Sequence, residues 1–232
     1  MKTVLLTGAS SGIGLATAQA LAKEGYQVFG LGRHFDEILS YPENLHRISC
    51  DITDAHAMQK MWKELKEVHH CNAPDIIIHN AGVGYYGLHE TIDDASIREL
   101  VRTNIEAPML LTSHVLPYMK QRGSGQFIFI SSVTSRKTNT YGCAYGATKA
   151  ALLSFANSLF EEVRKHGIKV TTLLPDMTKT ELYRNADFTA DEEACLFAED
   201  IADLILTLVS AKEHLNVTEL TVQPQKHRIR KK

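Results

Sequence analysis

A tyrosine and a lysine four residues apart, Tyr145 and Lys149, open a long helical pattern in this sequence. At that spacing both side chains share one helical face. A free tyrosine ionises near pH ~10, too high for easy proton exchange at neutral pH. An ammonium nearby favours the phenolate, so Lys149 is expected to lower the pKa of Tyr145. Tyr145 then becomes a general acid toward a carbonyl oxygen, or a base in the reverse direction. Such a pair is common and by itself says little. Ser131-Ser132 gives it weight, because these residues end a strand-like run and Ser132 precedes Tyr145 by 13 residues. A loop between them lets both hydroxyls converge on one point at a strand end, where parallel sheets bind ligands.

A second cluster lies near the start. The apolar run Thr3–Thr7 leads into Thr7-Gly8-Ala9-Ser10-Ser11-Gly12-Ile13-Gly14, and a helical pattern follows at once. Glycines let the backbone approach a pyrophosphate, and a helix N-terminus offers it free N–H groups and partial positive charge. Strand, glycine loop and helix in that order predict a dinucleotide site. The next strand ends at Leu31-Gly32-Arg33, where an NAD site usually carries an acid for the ribose 2′-OH. An arginine there suits a 2′-phosphate, so NADP(H) is expected and NAD(H) is the lesser alternative. The competing view of Arg33 is an ordinary surface cation.

These residues need a sheet to bring them together. Strands are predicted at Thr3–Thr7, Gln27–Leu31, Arg47–Cys50, Asp75–His79, Gln126–Ile130, Lys169–Leu174 and Glu219–Val222. Helices are predicted near Ile13–Glu24, Ala55–Val68, Ser96–Arg122, Ala144–His166 and Glu199–Val209. The alternation implies an α/β fold, a doubly wound parallel sheet of about seven strands with helices on both faces. Residues 1–225 read as one nucleotide-binding domain. The polar stretch near 178–195 reads as a mobile substrate flap, and 226–232 as a basic, solvated, partly disordered tail.

The net charge of -2 gives no pull toward nucleic acid or acidic membranes. The apolar run before Gly8 is short for a leader peptide, and no stretch is long enough to span a bilayer. Cys50, Cys71, Cys143 and Cys195 are widely spaced, which argues against a disulfide framework or zinc site and for a reducing, cytoplasmic setting. Adjacent His69-His70-Cys71 diverge on a helix, so no metal is expected.

Together these motifs resemble the short-chain dehydrogenase/reductase family over essentially the whole chain. Its Thr-Gly-x-x-x-Gly-x-Gly loop matches Thr7, Gly8, Gly12 and Gly14; its Asn-Ala-Gly element matches Asn80-Ala81-Gly82; its Asn, Ser, Tyr and Lys match Asn104, Ser132, Tyr145 and Lys149. The resemblance implies a Rossmann fold and hydride transfer between nicotinamide and a carbonyl or alcohol, as in a carbonyl reductase. Tyr145 would be the acid/base, Ser132 would polarise the carbonyl, and Lys149 would bind the nicotinamide ribose. Asn104 would hold a helix bend and a proton-relay water. Thr7 would pin the glycine loop, and Asn80 would support the central strand and the cofactor. Ser10, Ser11, Ile13, Asp51, Ile52, Pro175 and Thr180 complete the implied cofactor site, with Asp51 near the adenine. It also implies a homodimer or homotetramer, although Val222–Gln225 lacks the usual glycine-rich finish. The alternative is an NADP-binding regulator without catalysis.

Two departures bear on the substrate. Asp176 stands where the family has glycine, and it either faces solvent or selects a basic or hydroxylated substrate. Arg136 and Lys137 either greet an acidic substrate or sit in a solvated loop. Tyr85, Tyr86, Tyr141, Leu182 and Phe188 are candidates for an apolar pocket wall, or for packing.

Overall fold

Strands that are covered on both faces need apolar residues at almost every position, and Val4-Leu5-Leu6, Ile76-Ile77-Ile78 and Phe127-Ile128-Phe129-Ile130 supply them. A computed structural model describes residues 1–35, 40–226 and 228–231. Its strands are β1 (Thr3–Thr7), β2 (Gln27–Gly32), β3 (Leu45–Ser49), β4 (Ile76–His79), β5 (Gly125–Ile130), β6 (Ile168–Pro175), β7 (Phe188–Ala190), β8 (Glu219–Val222) and β9 (Ile229–Lys231). The helices are α1 (Gly12–Lys23), α2 (Ala55–Glu67), α3 (Asp94–Val101), α4 (Ala107–Arg122), α5 (Cys143–Val163) and α6 (Ala198–Val209).

Seven of the described strands form one sheet in the order β3-β2-β1-β4-β5-β6-β8, with every neighbouring pair parallel. Alternate residues feed two cores. Leu5, Phe127 and Phe129 point to the layer of α2, α4 and α5, whereas Val4, Leu6 and Ile128 point to the layer of α1 and α6. Burying each such side chain contributes about 1.5–3 kcal/mol, which fixes the strand ends that carry the site. This is a doubly wound fold of the Rossmann type, and its strand order reverses between β1 and β4. A crevice is expected outside the carboxyl ends at that switch point.

Three expectations are corrected. The predicted helix Ser96–Arg122 is one helical run from Asp94, but a π-helical turn at Arg102–Glu106, around Asn104, divides it into α3 and α4. The segment near 178–195 is more ordered than a flap without strand structure: it contains a 3-10 turn at Glu181–Tyr183, strand β7, and a bridge from Thr178 to Leu196. The basic tail folds back as β9 and pairs antiparallel with β7, so Phe188 faces Lys231 and Ala190 faces Ile229. Its His227 and Lys232 lie outside the described residues. Among the described residues, no helix is long and apolar enough to cross a membrane.

Candidate active site

A cleft of about 620 Å³ opens at the carboxyl ends of β1 to β6. Gly8, at the end of β1, has a φ of 69°, a left-handed conformation that suits glycine. Gly14 admits no side chain at all, because a Cβ there would collide with the Gly8 carbonyl oxygen. The loop's floor is a reciprocal lock. The Asn80 amide donates to the Thr7 and Gly8 carbonyl oxygens, both at 3.0 Å, while Thr7 Oγ1 accepts from the backbone N–H groups of Asn80 at 3.1 Å and Ala81 at 3.0 Å. Asn80 therefore pins the glycine loop, and Thr7 pins the Asn80-Ala81 segment.

Helix α1 starts from Ser11, whose side chain makes no capping hydrogen bond. By contrast, Asp54 and Asp93 cap the first N–H groups of α2 and α3. The N–H groups at the start of α1, beside a loop kept open by Gly8, Gly12 and Gly14, fit a pyrophosphate. At the other end of the cleft, Arg33 lies half-exposed on the wall, 3.7 Å from Glu99 on α3. Glu99 also accepts a short hydrogen bond from the Tyr85 hydroxyl. Asp51 and Ile52 line the same end, and Asp51 Oδ1 accepts from the N–H and hydroxyl of Thr53 at 2.9 and 2.8 Å.

At the head of the cleft, α5 brings Tyr145 and Lys149 to its buried face, with Ser132 opposite them just beyond β5. Ser132 Oγ accepts from the Thr134 N–H at 3.2 Å, and Ser132 favours the phenolate of Tyr145. Lys149 Nζ donates to the Ile130 carbonyl at 2.8 Å and lies 5.7 Å from the centre of the Tyr145 ring. Burial drives both groups toward their neutral forms: Tyr145 is pushed up to about 12 and Lys149 down to about 8. The expected lowering of Tyr145 by Lys149 is thus corrected. In the protein itself burial dominates, Ser132 and Tyr86 offset it in part, and Lys149 makes no resolved contribution.

Asn104 is fully buried behind the cleft, inside the π turn. Its carboxamide oxygen accepts from the Val83 N–H at 2.9 Å, and its nitrogen donates to the Val83 carbonyl and to Thr148 Oγ1, both at 3.0 Å. The turn therefore fastens α3 and α4 to the Asn-Ala-Gly segment and to α5 through one side chain.

Of the residues singled out from sequence, Gly8, Ser10, Ser11, Gly12, Ile13, Arg33, Asp51, Ile52, Asn80, Ala81, Gly82, Ser132, Tyr145, Lys149, Pro175 and Thr180 line the cleft. Thr7, Gly14 and Asn104 support it from beneath without lining it. Thr180 reaches across to the glycine loop, where a Cβ on Gly12 would come within 3.1 Å of its methyl group. Asp176 is tied in place, accepting from its neighbour's Met177 N–H and from Gln223, each at 2.8 Å. Arg136 pairs with Glu219 on β8, and Tyr141 is exposed. Residues that the sequence reading did not single out also line the cleft: Arg98, Glu99, Arg102 and Tyr183. Among them, Tyr183 had a usable signal, since Thr180 caps the turn that carries it.

The fold and cleft define a nucleotide-dependent α/β enzyme. The family model described as short chain dehydrogenase matches residues 2–191. An uncharacterised oxidoreductase of Staphylococcus haemolyticus is 32% identical over 228 residues, covering 96% of this chain and 97% of that one. A serine 3-dehydrogenase of Rhizobium radiobacter is 32% identical over 238 residues, covering 96% and 93%. The solved structure of ElxO with NADP bound superposes with a TM-score of 0.83 at 25% identity, covering 95% and 96%. The chain belongs to the short-chain dehydrogenase family and is an oxidoreductase.

Proposed function

We propose that this protein uses NADP(H) to interconvert a small carbonyl compound and its alcohol, with Tyr145 as general acid/base. The observation that carries this reading is the placement of Ser132 and Tyr145 together in the lining of the cleft, beside the buried Lys149. Bound nicotinamide supplies or accepts the hydride. Ser132 holds the substrate oxygen, and Tyr145 gives it a proton in reduction or removes one in oxidation. Gly8, Gly12 and the N-terminus of α1 hold the pyrophosphate, and Lys149 holds the ribose. Arg33 would hold the 2′-phosphate, in place of the acid that would favour NAD(H). The NADP carried by ElxO and the serine substrate named for the Rhizobium relative agree with this chemistry. A cytoplasmic homo-oligomer that pairs through the exposed Val101, Leu110 and Tyr118 belongs to the same reading.

The test is NADPH and NADH consumption over a panel of ketones and keto acids, with NADP+-dependent oxidation of L-serine and cyclohexanol. Tyr145→Phe is run in parallel. NADPH-preferring turnover that falls by about a thousandfold or more in the variant is expected, since the acid/base group and its proton path are removed together. NADPH binding without any turnover would favour the non-catalytic regulator, and a preference for NADH would overturn the role of Arg33.

A further inference from the structure

Tyr86 stands four residues after Gly82, in a loop that no part of the proposed chemistry has used. Its ring centre lies 5.2 Å from that of Tyr145, 5.4 Å from Phe188 and 5.7 Å from Tyr183. Gly84 makes room for this placement: a Cβ there would lie 2.8 Å from Cε2 of the Tyr86 ring. Held among three other rings, Tyr86 is close enough to Tyr145 that each phenol shifts the other's ionisation, with Tyr86 favouring the phenolate of Tyr145.

We infer that Tyr86 is a positioning residue for the proton-transfer step, a second fixed donor that steadies the Tyr145 oxygen as it becomes a phenolate. This rests on the reading of Tyr145 as acid/base. When Tyr145 passes its proton to a substrate oxygen, the O–H bond of Tyr145 breaks and negative charge collects on its phenolic oxygen. Hydrogen bonds to that oxygen then become charge-assisted and stronger. Ser132 has another duty toward the substrate oxygen; Tyr86 has none, so its hydroxyl is left to serve the Tyr145 oxygen through the step. Tyr86 does not compete for the proton. Burial first, and then the neighbouring Tyr145 and Tyr183 phenols, push its own ionisation well above the usual tyrosine range. It remains a donor across the working pH range.

Tyr86→Phe keeps the ring and its packing and deletes only the donor. The probe is protein labelled with 13C at tyrosine Cζ and saturated with NADP+, in which the Tyr145 resonance is assigned by its loss in Tyr145→Phe. In Tyr86→Phe this resonance is expected to titrate about one to two pH units higher, the worth of one hydrogen bond to a charged oxygen. The oxidation kcat at pH 7 is expected to fall roughly tenfold with KM unchanged, because a smaller fraction of Tyr145 is then ionised to act as base. Superimposable titration curves in Tyr86→Phe and the parent would overturn the assignment of Tyr86 alone, if Tyr145→Phe is inactive. Full activity in Tyr145→Phe would instead remove the acid/base reading, and the role of Tyr86 with it.

Discussion

Around the glycine loop, backbone groups and two short side chains lock to one another. Thr7 and Asn80 exchange hydrogen bonds near 3.0 Å between the ends of β1 and β4, at the centre of the sheet. Across the cleft, the segment near 178–195 is held by rings and ion pairs. Phe188 and Tyr183 pack on Tyr86, and the buried Asp191 carboxylate pairs with Arg230 at 3.0 Å and Arg228 at 3.5 Å beside the β7–β9 ladder. The first wall is fixed by geometry that few other residues can reproduce. The second depends on side chains whose sizes and charges can change without altering the sheet. A conserved cofactor and a variable substrate are served well by such a division.

Replacing Asn80 with Ala attacks the first wall and should have the largest effect. It leaves two carbonyl oxygens without their amide donor, at a cost of about 1–3 kcal/mol in stability. NADPH affinity is expected to fall at least tenfold, read by fluorescence titration alongside a thermal melt. An unchanged affinity would mean that the glycine loop holds its shape without the lock.

Asp191→Asn attacks the second wall. Substrate KM should rise several-fold while NADPH affinity stays close to the parent's. Burial opposes the Asp191 charge, but the Glu193 N–H and the Arg230 and Arg228 guanidiniums outweigh it and hold the carboxyl below the usual aspartate range. The sign follows: the clasp is at full strength above the ordinary aspartate value of ~3.9 and is lost as pH falls through the lower folded value. KM should therefore not change with pH near neutrality through the titration of this group. It should rise with salt in the parent, because both arginines are largely exposed, and rise less in the variant. Equal losses of NADPH and substrate binding would show the two walls to be one unit.

Arg136→Ala should do least. The side chain meets Glu219 at 2.9 and 2.5 Å, an exposed pair from which little stability is expected. Melting temperature and KM for keto acids should hardly move. A selective loss of acidic substrates would extend the second wall into the loop after Ser132.

The same division explains what the sequence disclosed. Glycines at fixed spacing, apolar strands and the Tyr145–Lys149 offset are local patterns, and they marked the strands of the main sheet, the glycine loop and the Ser132, Tyr145 and Lys149 group, whereas Asp51, Asn80, Pro175 and Thr180 came only with the family resemblance. The pairing of β7 with β9 joins two three-residue strands with no period of their own, so each read as irregular chain. The π turn depends on Asn104 reaching Val83 and Thr148, contacts that exist only after the helices pack. The ionisation of Tyr145 depends on burial, which spacing alone does not measure.

The lock between Thr7 and Asn80 also sets an order of events in folding. These residues are 73 apart in the chain, so the floor of the glycine loop appears only when β1 docks beside β4. Parallel pairings of such separation form late and slowly, because the intervening chain must first be closed into a loop. A folding intermediate with α1 and its glycines already formed would still lack a firm phosphate seat. The dinucleotide therefore acts on refolding as a latch, not a template: it holds molecules that have completed their sheet and does little for those that have not.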